Sequence, residues 1–372
     1  MWPRFKKHSA IAVDVGAVSL RAVQLEQRRG RVAIRHWVNQ VTPPDQQFEA
    51  EASSDGALSR LASVRLVSRE LFRGRDVATT IGPPDIEVCS LQVPAKLLQQ
   101  GQLNLSQAVR HEVARHVDFD VQAAEVGAWP LPSGHSDGPN VLVAVAQRSL
   151  IGPLLDWVET QGCYCSRIDV APLAVLRACA RMTESVAPDH LWAVLDIGFR
   201  ASRLYVGLGE VPVYVRYLAD GGDSMTRRIA AELDVEPAMA ERYKRRYGVC
   251  GEPEGYRPLL RAAGPTDEKR MASILHGVLA PIIRRMASEI ERSFRYGMDL
   301  YPRAPVSGLV LVGGGANLKG LGQILGDKLG ITVRCPSPDR LAAKNSGHPA
   351  LAGNVLPGMV TCIGTGYGGL SP

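Results

Sequence analysis

Ala10-Ile11-Ala12-Val13-Asp14-Val15-Gly16-Ala17-Val18-Ser19-Leu20-Arg21 is an apolar run ending in Asp-X-Gly, with a hydroxyl in the turn and a cation on the returning segment. Each group suits an anion. Glycine lets main-chain N–H groups approach oxygens, and a concavity of such donors binds phosphate. Asp14 can hold Mg²⁺ through water, while Ser19 and Arg21 add a donor and a charge. Alone, the pattern more readily describes a tight hairpin turn. Its recurrence decides the reading: Leu191 to Ile197 is a second apolar strand, closing in Asp196-Ile197-Gly198, with strands again expected at Arg203–Leu208 and Val211–Tyr217. A duplicated strand, turn and hairpin implies two related lobes whose turns face each other across a cleft.

A third turn follows the strand Gly308–Val312, where Gly313-Gly314-Gly315-Ala316-Asn317 leads into a helix to Leu329 and a strand at Ile331–Arg334. Without side chains, this backbone offers a surface for adenine or ribose. The alternative is a crowded strand-to-helix turn that needs positive φ.

Between the landmarks, Leu20–Leu25 and Val32–Val38 read as strands joined at Arg28-Arg29-Gly30. Thr42–Gly56 reads as a loop, Leu58–Leu71 as a helix, and Val77–Ile81 and Ile86–Val93 as strands. From Pro94 the rhythm changes. A helix over Ser106–Val117, with Leu105, Val109, Val113 and Val117 on one stripe, precedes a loop at Ser133–Asn140 and a strand at Val141–Ala146. A further helix carries Ile151, Leu154, Leu155 and Val158 and stops at Gly162. Pro172 suits the first turn of the next helix. Helices are expected after Gly221-Gly222-Asp223 and from Pro237 toward Gly248, and a long one over Asp267–Tyr296 should be kinked or split at Pro281.

The 372 residues, 45% hydrophobic, suffice for two lobes. A net charge of +6 permits anionic partners, yet the basic residues are dispersed and no aromatic ladder accompanies them, which argues against a nucleic-acid groove. Arg242, Lys244, Arg245 and Arg246 read as a solvated helix face. The seven cysteines, without finger-spaced histidines, fit buried thiols in a reducing compartment. Neither a signal peptide nor a membrane span is expected, and Trp2 and Phe5 beside Lys6 and Lys7 read as a solvated terminus. The glycine-rich end from Gly364 suits neither a membrane helix nor a basic amphipathic one.

Asp14/Gly16/Ser19, Asp196/Gly198 and Gly313-Gly314-Gly315-Ala316 resemble the two phosphate turns and the adenosine motif of the actin-like ATPase superfamily. Within it the chain resembles the FtsA-like PilM proteins of type IV pilus machines, from Ile11 to about Gly366. The most specific likeness is Gln107-Ala-Val-Arg-His-Glu-Val-Ala-Arg-His-Val-Asp-Phe119, joined by Val141–Ala146 and Ile168-Asp-Val-Ala-Pro-Leu-Ala-Val175.

The resemblance implies an α/β actin-like fold of duplicated ribonuclease-H-like lobes with an inserted α+β subdomain, 1C. The expected boundaries are 9–93 and 166–190 for 1A, 94–165 for 1C, 191–219 for 2A, 220–305 for 2B, and 306–372 for the rest of 2A with a C-terminal tail. It implies ATP in the cleft, contacted by Asp14, Gly16, Ser19, Arg21, Asp196, Gly198, Arg200, Ser202 and Gly313 to Ala316, with Mg²⁺ held by Asp14 and Asp196 through water. It also implies a cytoplasmic scaffold, peripheral to the inner membrane, that receives the N-terminal tail of a PilN-like bitopic protein in a groove beside 1C. Other platform proteins, the pilus motor ATPase and a second copy are further partners in this reading.

The chain departs from the family at Arg21, where Lys is common, and at Ala17 and Val18, where small hydroxyl residues are common. In the turn after the second Asp-X-Gly, where Ser or Thr is common, this chain has Phe199-Arg200-Ala201-Ser202, leaving fewer hydroxyl donors at both phosphates, and Arg200 either contacts phosphate or covers the turn. Hydrolysis is therefore left open. The alternatives are a small-molecule kinase of the same fold and a degenerate scaffold that binds only protein.

Overall fold

The computed structural model describes residues 7–28, 31–42, 47, 71–98, 102–134, 138–183, 187–250, 268–337 and 355–370. Most of the loop expected at Thr42–Gly56 and of the helix at Leu58–Leu71 lies outside them, as do Trp2 and Phe5.

The first lobe opens with β1 (Lys7–His8), β2 (Ile11–Gly16), β3 (Ser19–Arg28), β4 (Arg31–Val41) and β5 (Asp76–Ile81). An inserted module follows: β6 (Glu87–Leu91), α1 (Ala95–Leu98), α2 (Gln102–Ala108), α3 (Arg110–Val113), β7 (Ala124–Pro130) and β8 (Val141–Gln147). Then α4 (Arg148–Thr160), β9 (Tyr164–Val170) and α5 (Ala171–Met182) return to the lobe. The second lobe contains β10 (Leu191–Ile197), β11 (Ser202–Leu208), β12 (Val211–Leu218), α6 (Gly222–Leu233), α7 (Pro237–Tyr247) and α8 (Glu268–Leu300). It ends with β13 (Val306–Val312), α9 (Leu321–Leu329), β14 (Val333–Arg334) and α10 (Leu356–Gly368).

The two sheets share one plan. In the order β4-β3-β2-β5-β9 the first two junctions are antiparallel and the last two parallel, and β12-β11-β10-β13-β14 repeats that order and sense. Parallel neighbours require long crossovers. The first sheet places the inserted module in one crossover, and the second places α6, α7 and α8 in another. β10 is buried on both faces except at Asp196, as a central strand flanked by layers must be.

The crossing helices join the lobes. α5 leaves the first sheet and packs on β10, β11 and β12, while α10 leaves the second and packs on β2, β3 and β5; the two helices also pack on each other. Ala12, Val23 and Leu25 thus share one core with Leu176, Trp192, Tyr205, Val310, Met359 and Ile363. The glycine-rich end that suits no membrane helix is therefore a buried helix that follows the second lobe and packs on the first. Its glycines permit close approach: a Cβ on Gly364 would overlap the Ala174 carbonyl, and one on Gly366 would stand 3.0 Å from Leu25.

Two expectations are corrected. The Ser106–Val117 helix is two short segments that begin at Gln102 and end at Val113, closed by tight turns from Arg115 N–H to the Glu112 carbonyl and from His116 N–H to the Val113 carbonyl. Leu105, Val109 and Val113 are buried as the stripe required, whereas Val117 lies past the helix and is only partly buried. Second, of the two outcomes expected at Pro281, a kink or a split, the split does not occur, since α8 runs on for 33 residues. The residue one turn before it is Gly277, without a side chain, and the neighbouring Val278 carbonyl accepts a hydrogen bond from Arg228 Nε at 2.7 Å.

The inserted sheet β6-β8-β7 buries Val141, Val143 and Val145 against Leu105, Val109 and Val113. It also touches the second lobe. Tyr301 Oη donates to the Pro132 carbonyl at 3.2 Å, and a Cβ on Gly134 would stand 2.6 Å from the Leu300 carbonyl.

Candidate functional site

The first hairpin is tight: Gly16 pairs with Ser19 across Ala17 and Val18, and two residues further in Asp14 pairs with Arg21. Alternation along a strand puts Asp14, Ser19 and Arg21 on one face. Arg21 Nη1 donates to Asp14 Oδ2 at 3.1 Å, and both side chains are largely buried. A Cβ on Gly16 would stand 3.1 Å from Ser19 Oγ and 3.7 Å from Arg21 Nη1, so all four expected residues meet in one small concavity.

The second hairpin repeats this geometry with a difference. Asp196 pairs with Arg203 and Ile197 with Ser202, while Gly198 N–H donates to the Ala201 carbonyl at 3.0 Å. Arg203 Nη1 stands 4.0 Å from Asp196 Oδ2. Ala201 therefore occupies the place of Ser19. Ser202 falls on the opposite pleat, fully buried, where its hydroxyl donates to the Asp220 carbonyl at 2.7 Å. Arg200 is exposed at the hairpin tip. Arg203 was not among the expected residues, although it follows Asp196 by the seven positions that separate Arg21 from Asp14.

The third turn is pressed against the second. Gly313 has φ +81°, and a Cβ there would stand 2.5 Å from the Ile197 carbonyl and overlap the Asp196 carboxylate. A Cβ on Gly315 would overlap the Ile197 side chain, whereas Gly314 has nothing within 4 Å of that position. Gly314–Asn317 is a single 3-10 turn, with Ala316 packed partly into the second-lobe core.

The hairpins are also near enough to feel each other. Burial pushes the Asp196 carboxyl above the usual carboxylate range; Arg203 opposes the shift, Asp14 adds to it and Arg21 opposes it. Arg203 reaches back to the first lobe, its Nε donating to the carbonyl of Pro83, just beyond β5. The next acidic group, Asp85, lies within electrostatic reach of the same guanidinium.

The start of α6 abuts the second hairpin, because Gly222 and Asp223 N–H groups donate to the Gly198 and Phe199 carbonyls at 2.9 and 2.7 Å. Lys244, read in the sequence as part of a solvated basic face, is buried. Its Nζ donates to the Gly222 carbonyl at 2.8 Å and to Thr226 Oγ1 and Glu241 Oε2, each at 2.6 Å. Three acceptors satisfy the ammonium. Glu241 one turn earlier is the sequence signal that could have marked it.

These residues fit a nucleotide. The two hairpins bring two aspartates and two arginines near each other, and Gly314 leaves open space beside the second of them. A cation would depend on the ligand, because among the described residues no three His, Cys, Asp or Glu side chains cluster to hold a metal. Asp14 and Asp196 could meet Mg²⁺ only together with phosphate oxygens and water.

No helix among the described residues is long and apolar enough to cross a membrane. The sequence profile of type IV pilus assembly protein PilM matches residues 12–259, and that of cell division protein FtsA matches residues 193–355. FtsA of Streptococcus pneumoniae is 24% identical over 223 residues, a match that spans 57% of this chain and 45% of that relative. Among solved structures, a PilM-PilN type IV pilus biogenesis complex superposes with a TM-score of 0.72 at 23% identity over the whole of both chains. The ethanolamine utilization protein EutJ of Carboxydothermus hydrogenoformans gives 0.51 at 14% identity over 98% of this chain and 91% of its own. A MamK double helical filament gives 0.51 at 14% identity over 97% and 98%. The fold is thus the α/β actin-like one, with an inserted module in the first lobe, and the chain belongs to the family of type IV pilus assembly protein PilM.

Proposed function

We propose that the chain is a nucleotide-binding scaffold of the type IV pilus assembly machine. In this reading the hairpins at Asp14–Arg21 and Asp196–Arg203 would hold ATP, and Asp14 and Asp196 would hold Mg²⁺ through water, the cation neutralising phosphate charge. Gly313 to Ala316 form the wall for the nucleoside. A PilN-like protein of the inner membrane inserts its N-terminal cytoplasmic tail beside the inserted module. Other platform proteins and the motor ATPase attach to the same assembly, and the chain is held at the membrane from the cytoplasmic side by these partners.

The observation that carries the reading is electrostatic: the carboxylates of two separate, duplicated hairpins lie within reach of each other's charges and of two arginines. The family supports the pilus role, and the superposed PilM-PilN complex supports the kind of partner. ATP here is a ligand that closes the lobes and so alters the groove, coupling two binding events through one conformational equilibrium. The test is capture from inner membranes with the full chain, with and without ATP. Recovery of a small bitopic protein through its N-terminal tail, changed in amount by ATP, is the expected result; recovery of no such protein in either condition contradicts it.

One observation favours a second reading, a scaffold that binds protein alone. Both aspartates already face arginines, and the Ser202 hydroxyl is engaged with Asp220. Calorimetry that detects no ATP binding, together with intact tail binding, would favour it.

A further inference from the structure

Arg203 is bound on both sides of the cleft. It rises from β11 in the second lobe, faces Asp196 at the loose distance of 4.0 Å, and donates its Nε to the Pro83 carbonyl of the first lobe. Asp14 and Asp85 of the first lobe also stabilise its charge. Its counterpart Arg21 is tied more closely, at 3.1 Å from Asp14 and against α10, where a Cβ on Gly358 would stand 3.2 Å from the Arg21 Nε. Of the two guanidiniums, Arg203 has the longer carboxylate contact.

The cleft needs that charge. Asp14, Asp85 and Asp196 give it three carboxyl groups, and a nucleotide brings several negative charges more. On the second hairpin Asp196, Gly198, Ala201 and Arg203 share one face, and of these only Arg203 carries a side-chain donor. A guanidinium presents five N–H groups in a planar fork that matches phosphate oxygens.

We propose that Arg203 is the phosphate-binding side chain of the second lobe, opposing Arg21 of the first, and that it exchanges its hydrogen bond to Pro83 for one to the nucleotide. This rests on the nucleotide reading above and adds a residue and a consequence to it. Occupancy of the cleft removes one interlobe hydrogen bond while linking the lobes through the ligand. The countercharge is built into the protein, so ATP binding survives removal of Mg²⁺.

The test is calorimetric titration of the full chain with ATP, in Mg²⁺ and in EDTA, for the unaltered protein, Arg203→Gln and Arg203→Lys. The unaltered chain should bind in both conditions. Arg203→Gln should weaken binding about tenfold to a hundredfold, the loss expected for a charge-assisted hydrogen bond. Arg203→Lys keeps the charge without the fork and should fall between; if Arg203→Gln does not fold, this variant decides. Unaltered affinity in a folded Arg203→Gln or in Arg203→Lys, beside normal binding by the parent, overturns this proposal and leaves the nucleotide reading intact. Loss of all binding in EDTA overturns the built-in countercharge. A parent chain that binds no ATP overturns both readings together.

Discussion

A Cβ on Gly313 would overlap Asp196 Oδ1, so the third turn and the second hairpin are one packed unit. Gly313→Ala should be costly twice, through the methyl and through φ +81°, a region that strains side-chain-bearing residues by roughly 1–3 kcal/mol. Thermal unfolding should show a lower midpoint, and ATP affinity should fall as Asp196 is displaced. For the unfolding midpoint, Gly314→Ala is the matched control, with open space and no left-handed φ. An equal fall in midpoint from both substitutions would contradict the packing described.

Glu241 and Lys244 lend the protein a defined acid sensitivity. Burial alone would raise the Glu241 carboxyl, but the Lys244 charge and hydrogen bonds from Lys244, Thr226 and Arg245 hold it below its ordinary value of 4.5. A carboxyl depressed in the folded state contributes stability that is present above pH 4.5 and is lost as pH falls through the lowered value. Glu241→Gln leaves Lys244 buried with its charge unpaired and should cost about 3–5 kcal/mol near neutrality. Denaturant unfolding across pH should show this gap shrink below pH 4.5. A gap that stays constant into acid would show that the pair is not the cause.

Glycine in α10 serves contact, not flexibility. At an exposed helix position Gly→Ala stabilises by about 1 kcal/mol. At Gly364 the added methyl meets the Ala174 carbonyl of α5, so Gly364→Ala should destabilise by roughly 1–3 kcal/mol. The sign of the change in unfolding midpoint decides between the two.

Tyr301 ties the inserted module to the second lobe. Tyr301→Phe removes its hydrogen bond to the Pro132 carbonyl and should cost about 0.5–1.5 kcal/mol. If lobe closure reaches the groove through this contact, fluorescence anisotropy should find tail binding without nucleotide unchanged and the effect of ATP reduced. An undiminished ATP effect would place the coupling elsewhere.

Much of this architecture was legible in the residues because duplication left a local signature. Asp14-X-Gly16 and Asp196-X-Gly198, each ending an apolar strand and opening a hairpin, were enough to expect paired lobes, and the two sheets repeat one strand order. What was missed depends on register and on distant contacts. Ser202 and Arg203 are adjacent in sequence, yet the pleat turns one inward to Asp220 and the other to the cleft. Lys244 reads as part of a basic run until Glu241, Thr226 and the Gly222 carbonyl are brought around it. The C-terminal glycines read as a tail because their partner, α5, lies almost two hundred positions earlier.

The central claim is that a nucleotide sits between the two aspartate hairpins, and calorimetric titration of Asp14→Ala/Asp196→Ala with Mg-ATP tests it most directly. The unaltered chain should give a saturable isotherm, and the folded double variant should bind more weakly, with Mg²⁺ no longer adding to its affinity. Equal affinity in the two proteins would contradict the account and move any nucleotide site away from these hairpins.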